Sequence, residues 1–166
     1  EMRGRHGVPA RRVRYRVAGF RGGFSGGTVA SLLNVMEEAG RDPEVRRIVA
    51  TPYALNPAAR RKGPDGPDLT APAWDDVFEQ WIGPFVMAGI NTRVVRRSNA
   101  LLGFTYGRDF RYDEAMLIGK GATGWLQAAA LSAGLGATLL AGAVGPLRSL
   151  LGRALPSPGE GPSREE

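Results

Sequence analysis

Apolar and polar positions change period several times along the chain, and each change marks an expected element. Val13, Tyr15 and Val17 alternate with Arg14 and Arg16, which predicts a strand over residues 13–20 with one face partly wet. Val29, Leu32, Leu33 and Met36 recur at helical spacing and predict a helix closed by Gly40. Asp42 as cap and Pro43 at the first helical position open a second, shorter helix to about Ala50. Pro57, Pro64, Pro67 and Pro72, with Gly63 and Gly66, erase any period over residues 52–73, the pattern of a mobile surface loop that serves either as a lid or as an ornament.

Trp74, Val77, Phe78, Trp81 and Ile82 then return to helical spacing, with Pro84 closing the run and Asp75, Asp76 and Glu79 on its wet side. Residues 90–102 read as the most amphipathic helix of the chain. Ile90, Val94, Ser98 and Leu101 form its core stripe, and Arg93, Arg96 and Arg97 group on the other side. A second strand is expected within residues 104–118, where Phe110, Tyr112 and Glu114 oppose Arg111, Asp113 and Ala115.

From Gly121 to Leu147 no residue is charged. The length exceeds the roughly 20 residues needed to cross hydrocarbon, yet Ala and Gly dominate, and small residues four apart, such as Gly134 and Thr138, suit close helix packing in a membrane or in a core. Arg148 and Arg153 flank the run as they would at an anionic lipid surface. Membrane association through 121–147, spanning or interfacial, and a buried hydrophobic helix both remain open. The chain divides into 1–120, a partial α/β substrate-side domain; 121–150, a hydrophobic helical segment; and 151–166, a loop truncated before further strands. The fold class is mixed α/β, of the α+β kind.

Composition adds two constraints. Twenty-four glycines and twelve prolines in 166 residues break regular elements often, so the core is built from short pieces. The net charge is +6, and most of the basic residues are Arg, a balance that favours phosphates, nucleic acid or anionic membranes. The Arg clusters lack interleaved aromatics and a reading helix, so nucleic acid is not expected as a partner.

Candidate chemistry is sparse. The absence of Cys excludes disulfides and thiolate nucleophiles, and the lone His6 allows neither a histidine metal cluster nor a Ser-His-acid triad. The turn at residues 21–28 links a strand to a helix, a geometry that can present free amides to an anion. Its Gly22, Gly23, Gly26 and Gly27 do not make a dinucleotide fingerprint, and a tight turn passing close over a neighbour explains them as well. Ser25, Gly26, Gly27 and Thr28 are therefore candidates for phosphate or substrate contact. Asn91, Arg93, Arg96 and Arg97 are further candidates, set against the alternative of a solvated helix face. Tyr112 could donate to a substrate oxygen, although a sheet tyrosine more often packs.

Three stretches carry a resemblance: Ser25-Gly26-Gly27-Thr28-Val29-Ala30-Ser31; the run from Ile90 to Leu101 followed by Tyr106-Gly107-Arg108-Asp109-Phe110-Arg111-Tyr112; and Pro158 to Ser163. In this order they resemble the saccharopine dehydrogenase-like oxidoreductases, in the trans-acting enoyl reductase branch. The resemblance covers nearly the whole chain but only the region after that family's Rossmann-like domain, and it stops before the last strands. The chain begins with Glu1, and its end reads as a loop with Ser163 capping a helix that does not follow; a piece of a larger protein is expected. The resemblance implies an NAD(P)-dependent enoyl reductase of glycolipid biosynthesis, inactive as this piece alone. It implies NAD or NADP in the parent protein with none bound by this piece, and a lipid-like acyl substrate delivered from a polyketide synthase. It places the protein in the cytoplasm or at the cytoplasmic face of the plasma membrane. The rival expectation is a non-enzymatic lipid- or partner-binding module at a membrane.

Overall fold

The computed structural model describes residues 2–19, 26–154 and 159. Phe20, Ser25, the Pro158 to Ser163 string apart from Gly159, and the Ser163 cap lie outside the described residues. The elements in order are α1 (Met2–His6), β1 (Arg12–Val17), α2 (Gly26–Arg41), α3 (Pro43–Ala50), β2 (Ala73–Asp75), β3 (Gln80–Gly83), α4 (Ala88–Leu101), β4 (Arg111–Gly119), α5 (Gly121–Ala143) and α6 (Gly145–Ala154), with a single 3-10 turn at Ala58–Arg60. The chain is mixed α/β, as expected. It forms two compact units, one of Glu1–Ala18 with Ile48–Ser132, the other of Gly19–Arg47 with Ala133–Glu166.

The first unit is built on a four-stranded sheet in the order β1-β4-β3-β2. β1 runs parallel to β4, with Tyr15 beside Glu114 and Arg14 beside Asp113. β3 is antiparallel to both β4 and β2. Strand alternation therefore puts Val13, Tyr15, Tyr112 and Glu114 on one face and Arg12, Arg14, Arg16 and Asp113 on the other. Both strands obey the period of two in the sequence. α4 lies over the first of these faces, where Asn91 reaches Glu114.

Three expectations are corrected here. The run from Trp74 is a hairpin and not a helix. Asp75 is buried, and its Oδ1 accepts from the backbone N–H groups of Val77 and Phe78, which turns the chain; Glu79 completes the turn at φ 51°. Trp74 and Trp81 then face each other across β2 and β3, edge to face at 5.5 Å. Asp75 thus belongs to a turn with internal partners and not to a wet helix surface.

The face of α4 is also reversed. Ile90 and Val94 are 52% and 51% exposed, whereas Thr92, Arg93, Arg96, Asn99 and Ala100 are buried. Hydropathy misassigned the stripe because the two arginines carry their own counter-charges inward. Those counter-charges come from the third correction, the loop 52–73, which is anchored. Tyr53 and Asn56 are buried; the Tyr53 hydroxyl donates to Asp65 at 3.1 Å, and Asp68 accepts from Thr92 and Arg93.

In the second unit α2 packs on α6. Met36 is buried against Gly142, where a Cβ would fall 2.2 Å from the Met36 sulfur, and Arg148 pairs with Glu37 at 3.1 Å. Asp42 caps α3 as expected, its Oδ1 accepting from the Glu44 N–H at 2.7 Å. The uncharged run is not one helix: α5 ends at Ala143, and Pro146 sits in the first turn of α6. α5 alone, at 23 residues, is long and apolar enough to cross a membrane, and Leu126 and Leu140 on it are exposed.

Candidate functional site

The candidates from the sequence fall in separate units. Gly26, Gly27 and Thr28 form the first turn of α2 in the second unit, and Ser25 lies outside the described residues. Asn91, Arg93, Arg96 and Arg97 share α4 in the first unit. Arg96 spends its guanidinium internally: Nε donates to Asp65 at 2.8 Å, and its two terminal nitrogens donate to the carbonyls of Pro52 and Tyr112 at 3.2 and 3.1 Å. Arg93 donates to Asp68 and Gly89, each at 2.6 Å, and to the Val49 carbonyl. Arg97 is exposed and donates to the Leu55 carbonyl. These groups tie the 52–68 loop to α4.

Asn91 has a different setting. Its Nδ2 donates to Glu114 Oε2 at 2.9 Å, and the Tyr112 hydroxyl donates to Glu114 Oε1 at 2.6 Å. Glu114 is only 4% exposed. The three side chains form the polar end of an open hollow of about 370 Å³, which Tyr15 also lines and to which Phe85, Val94 and Val95 add apolar surface. Burial, and then the hydrogen bond to Glu114, push the Tyr112 phenol well above the ordinary tyrosine range. The phenol is thus held protonated as a donor. Arg96 and Asp65 hold the backbone beneath it, the first at the Tyr112 carbonyl and the second at its N–H. A candidate arginine thereby positions Tyr112 without lining the hollow.

The sequence reading named Tyr112 but missed Glu114 and Tyr15. The signal was available in the alternation: Tyr112 and Glu114 are two apart on a strand and must share a face. Only strand pairing could add Tyr15.

A second cleft, of about 300 Å³, is lined by Arg12, Arg14, Arg16 and Arg111 together with Asp75, Asp76 and Asp113, and Arg96, Tyr112 and Glu114 border it as well. Charge there is largely self-compensated. Arg16 pairs with Asp75 at 2.7 Å and Asp113 at 2.6 Å, and Arg14 bonds Asp76 and Asp75. Burial raises the Asp75 carboxyl, but the Arg16 hydrogen bond and the Val77 and Phe78 N–H groups outweigh it and hold the group below the usual carboxylate range. The hydrogen bond from Arg14 lowers Asp76 in the same direction.

One motif escaped the sequence reading. Gly119-Lys120-Gly121-Ala122-Thr123-Gly124 has the G-x-G-x-x-G spacing, follows β4 and opens α5. Gly121 takes φ 64°, and a Cβ on Gly124 would lie 2.5 Å from the Gly119 carbonyl, so the glycines make the turn and the close helix–strand approach. A dinucleotide cradle needs more: a parallel strand after the helix and an acid at its end for the ribose. Among the described residues α6 follows α5. Among the described residues no group of three or more His, Asp or Glu side chains is placed to hold a metal ion.

The sheet unit is mixed α/β and carries a hollow with both polar and apolar lining; comparison with known proteins goes further. The chain is 41% identical over 156 residues to a trans-acting enoyl reductase of Mycobacterium bovis, covering 85% of this chain and 36% of that protein. It is 40% identical over 157 residues to a trans-acting enoyl reductase of Mycobacterium leprae, again covering 85% and 36%. A Mycobacterium tuberculosis protein named as a candidate for the same activity is 39% identical over 157 residues, covering 89% of this chain and 37% of that protein. The chain thus spans little more than a third of the length of the curated relatives it matches. No protein-family profile matches it, and no solved structure matches it significantly.

Proposed function

We propose that this chain is the substrate-side region of an NAD(P)-dependent enoyl reductase-like oxidoreductase of lipid biosynthesis. The observation that carries the reading is the 39–41% identity, over 85–89% of the chain, to proteins named trans-acting enoyl reductase. A kinship to the saccharopine dehydrogenase-like oxidoreductases belongs to the same reading. So does a partner synthase of the polyketide type that delivers a lipid-like acyl chain and makes glycolipid precursors. In this reading the nicotinamide is held by a separate domain, and the chain contributes one wall of the reaction cleft, where its work is to bind and orient substrate. The apolar hollow with its neutral tyrosine donor suits that task. The test is to express the gene product that carries this chain and follow nicotinamide oxidation with enoyl thioesters. Thioester-dependent oxidation of NADH or NADPH supports the reading, and its absence with every chain length tried overturns it.

A second reading is favoured by a specific observation on α5. Its 23 uncharged residues include the exposed Trp125, Leu126, Leu139 and Leu140, which suits a non-enzymatic lipid- or partner-binding module at a membrane surface. Flotation of the full chain with anionic vesicles tests it. Recovery in the dense fraction, unchanged from a vesicle-free control, excludes it.

A further inference from the structure

The hollow under α4 has a property that its volume alone does not reveal. None of its lining residues is Lys, Arg or His. Glu114 lies at its polar end, and both carboxylate oxygens accept from neutral donors, the Tyr112 hydroxyl and the Asn91 amide. Neutral donors satisfy the carboxyl oxygens without supplying a counter-charge. A ligand carrying a second carboxylate or a phosphate would meet like charge at Glu114. A neutral carbonyl would not.

The hollow also offers a spare donor. Tyr15 lines it, stands beside Glu114 in the parallel register of β1 and β4, and makes no hydrogen bond through its hydroxyl among the described residues. Phe85, Val94 and Val95 supply the apolar surface that an alkyl chain would cover. Arg96 and Asp65 fix the strand beneath Tyr112, so the polar end is preorganised.

We propose that this hollow binds the neutral carbonyl end of an apolar chain, an acyl thioester or ester, with the Tyr15 hydroxyl donating to the carbonyl oxygen and Glu114 excluding free carboxylates and phosphates. The choice of a thioester rests on the enoyl reductase reading; the charge selection does not. The site is therefore a filter that distinguishes an activated acyl chain from the free acid its hydrolysis would release.

The experiment titrates the full chain with three probes of equal chain length, octanoyl N-acetylcysteamine thioester, octanoate and octyl phosphate, and follows amide shifts by NMR. The thioester should bind about tenfold tighter than either anion, a difference that one like-charge contact readily supplies. Tyr15→Phe should weaken the thioester several-fold and leave octanoate unchanged. Glu114→Gln should narrow the gap. Because that variant removes a buried group and could unfold the chain, Val94→Lys at the exposed rim is the second test, and it should turn selection toward octanoate. Equal affinity for all three probes, or selection unmoved by both Tyr15→Phe and Val94→Lys, would overturn the proposal. Selective thioester binding in a parent protein without reductase activity would sink the reading and spare the site. Reductase activity in a protein whose hollow binds nothing would do the reverse.

Discussion

Arg96 on α4 and Asp65 in the long loop meet at 2.8 Å with side chains only 4% and 8% exposed. The carboxylate also accepts from the Tyr53 hydroxyl and the Tyr112 N–H, and the guanidinium lies over the Tyr53 ring at 5.3 Å. One ion pair thus joins a helix, a loop and the strand that carries Tyr112.

Breaking this pair from one side leaves a buried charge without its partner. Arg96→Ala or Asp65→Ala should cost about 3–5 kcal/mol in urea denaturation, and the double variant should cost less than the sum of the two. Additive losses would show that the two residues act independently.

Acid should act through Asp75. Its folded-state carboxyl is held below the usual range, so the stability it contributes is fully present above the unfolded value of about 3.9 and is lost as pH falls through the folded value. The denaturation midpoint of the wild type should fall below about pH 4. Asp75→Asn should start lower and show a shallower acid limb; an unchanged slope would remove Asp75 as the cause.

Alkali should act through Tyr112 in the opposite sense. Its phenol is raised, so its contribution is present below the ordinary tyrosine value of about 10 and is lost as pH rises through the folded value. In a tyrosinate absorbance titration the chain should show a late-ionising phase that shrinks in Tyr112→Phe. Glu114→Gln should move that phase to lower pH, because the hydrogen bond to Glu114 is one of its causes.

Glycines of α5 should respond oppositely to alanine. At Gly124 a Cβ would strike the backbone of Gly119 at 2.5 Å, so Gly124→Ala should destabilise by about 1–3 kcal/mol. At Gly134 nothing lies within 4 Å, and Gly134→Ala should stabilise by about 0.5–1 kcal/mol through helix propensity. Thermal melts of the two variants check both signs.

Local rules sufficed for β1, β4, the capped start of α3 and the Met36 face of α2, because each depends on residues within a few positions of one another. The sequence also drew attention to Asn91 and Tyr112, two of the side chains at the polar end of the hollow. What it could not decide were features in which distant charges meet. Arg93 and Arg96 look like a wet face until Asp68 and Asp65 arrive from a loop some 25 to 31 residues away; their burial is possible only because tertiary folding brings the counter-charges with them. Trp74 to Ile82 fits a helix by spacing and forms a hairpin by turn chemistry, since Asp75 can satisfy the backbone of a turn as well as begin a helix. Tyr15 joins Glu114 through parallel pairing of strands on either side of most of the unit. Short-range periodicity thus settled which segments are regular, and long-range pairing of charge and strand decided which faces turn inward and which side chains share the hollow.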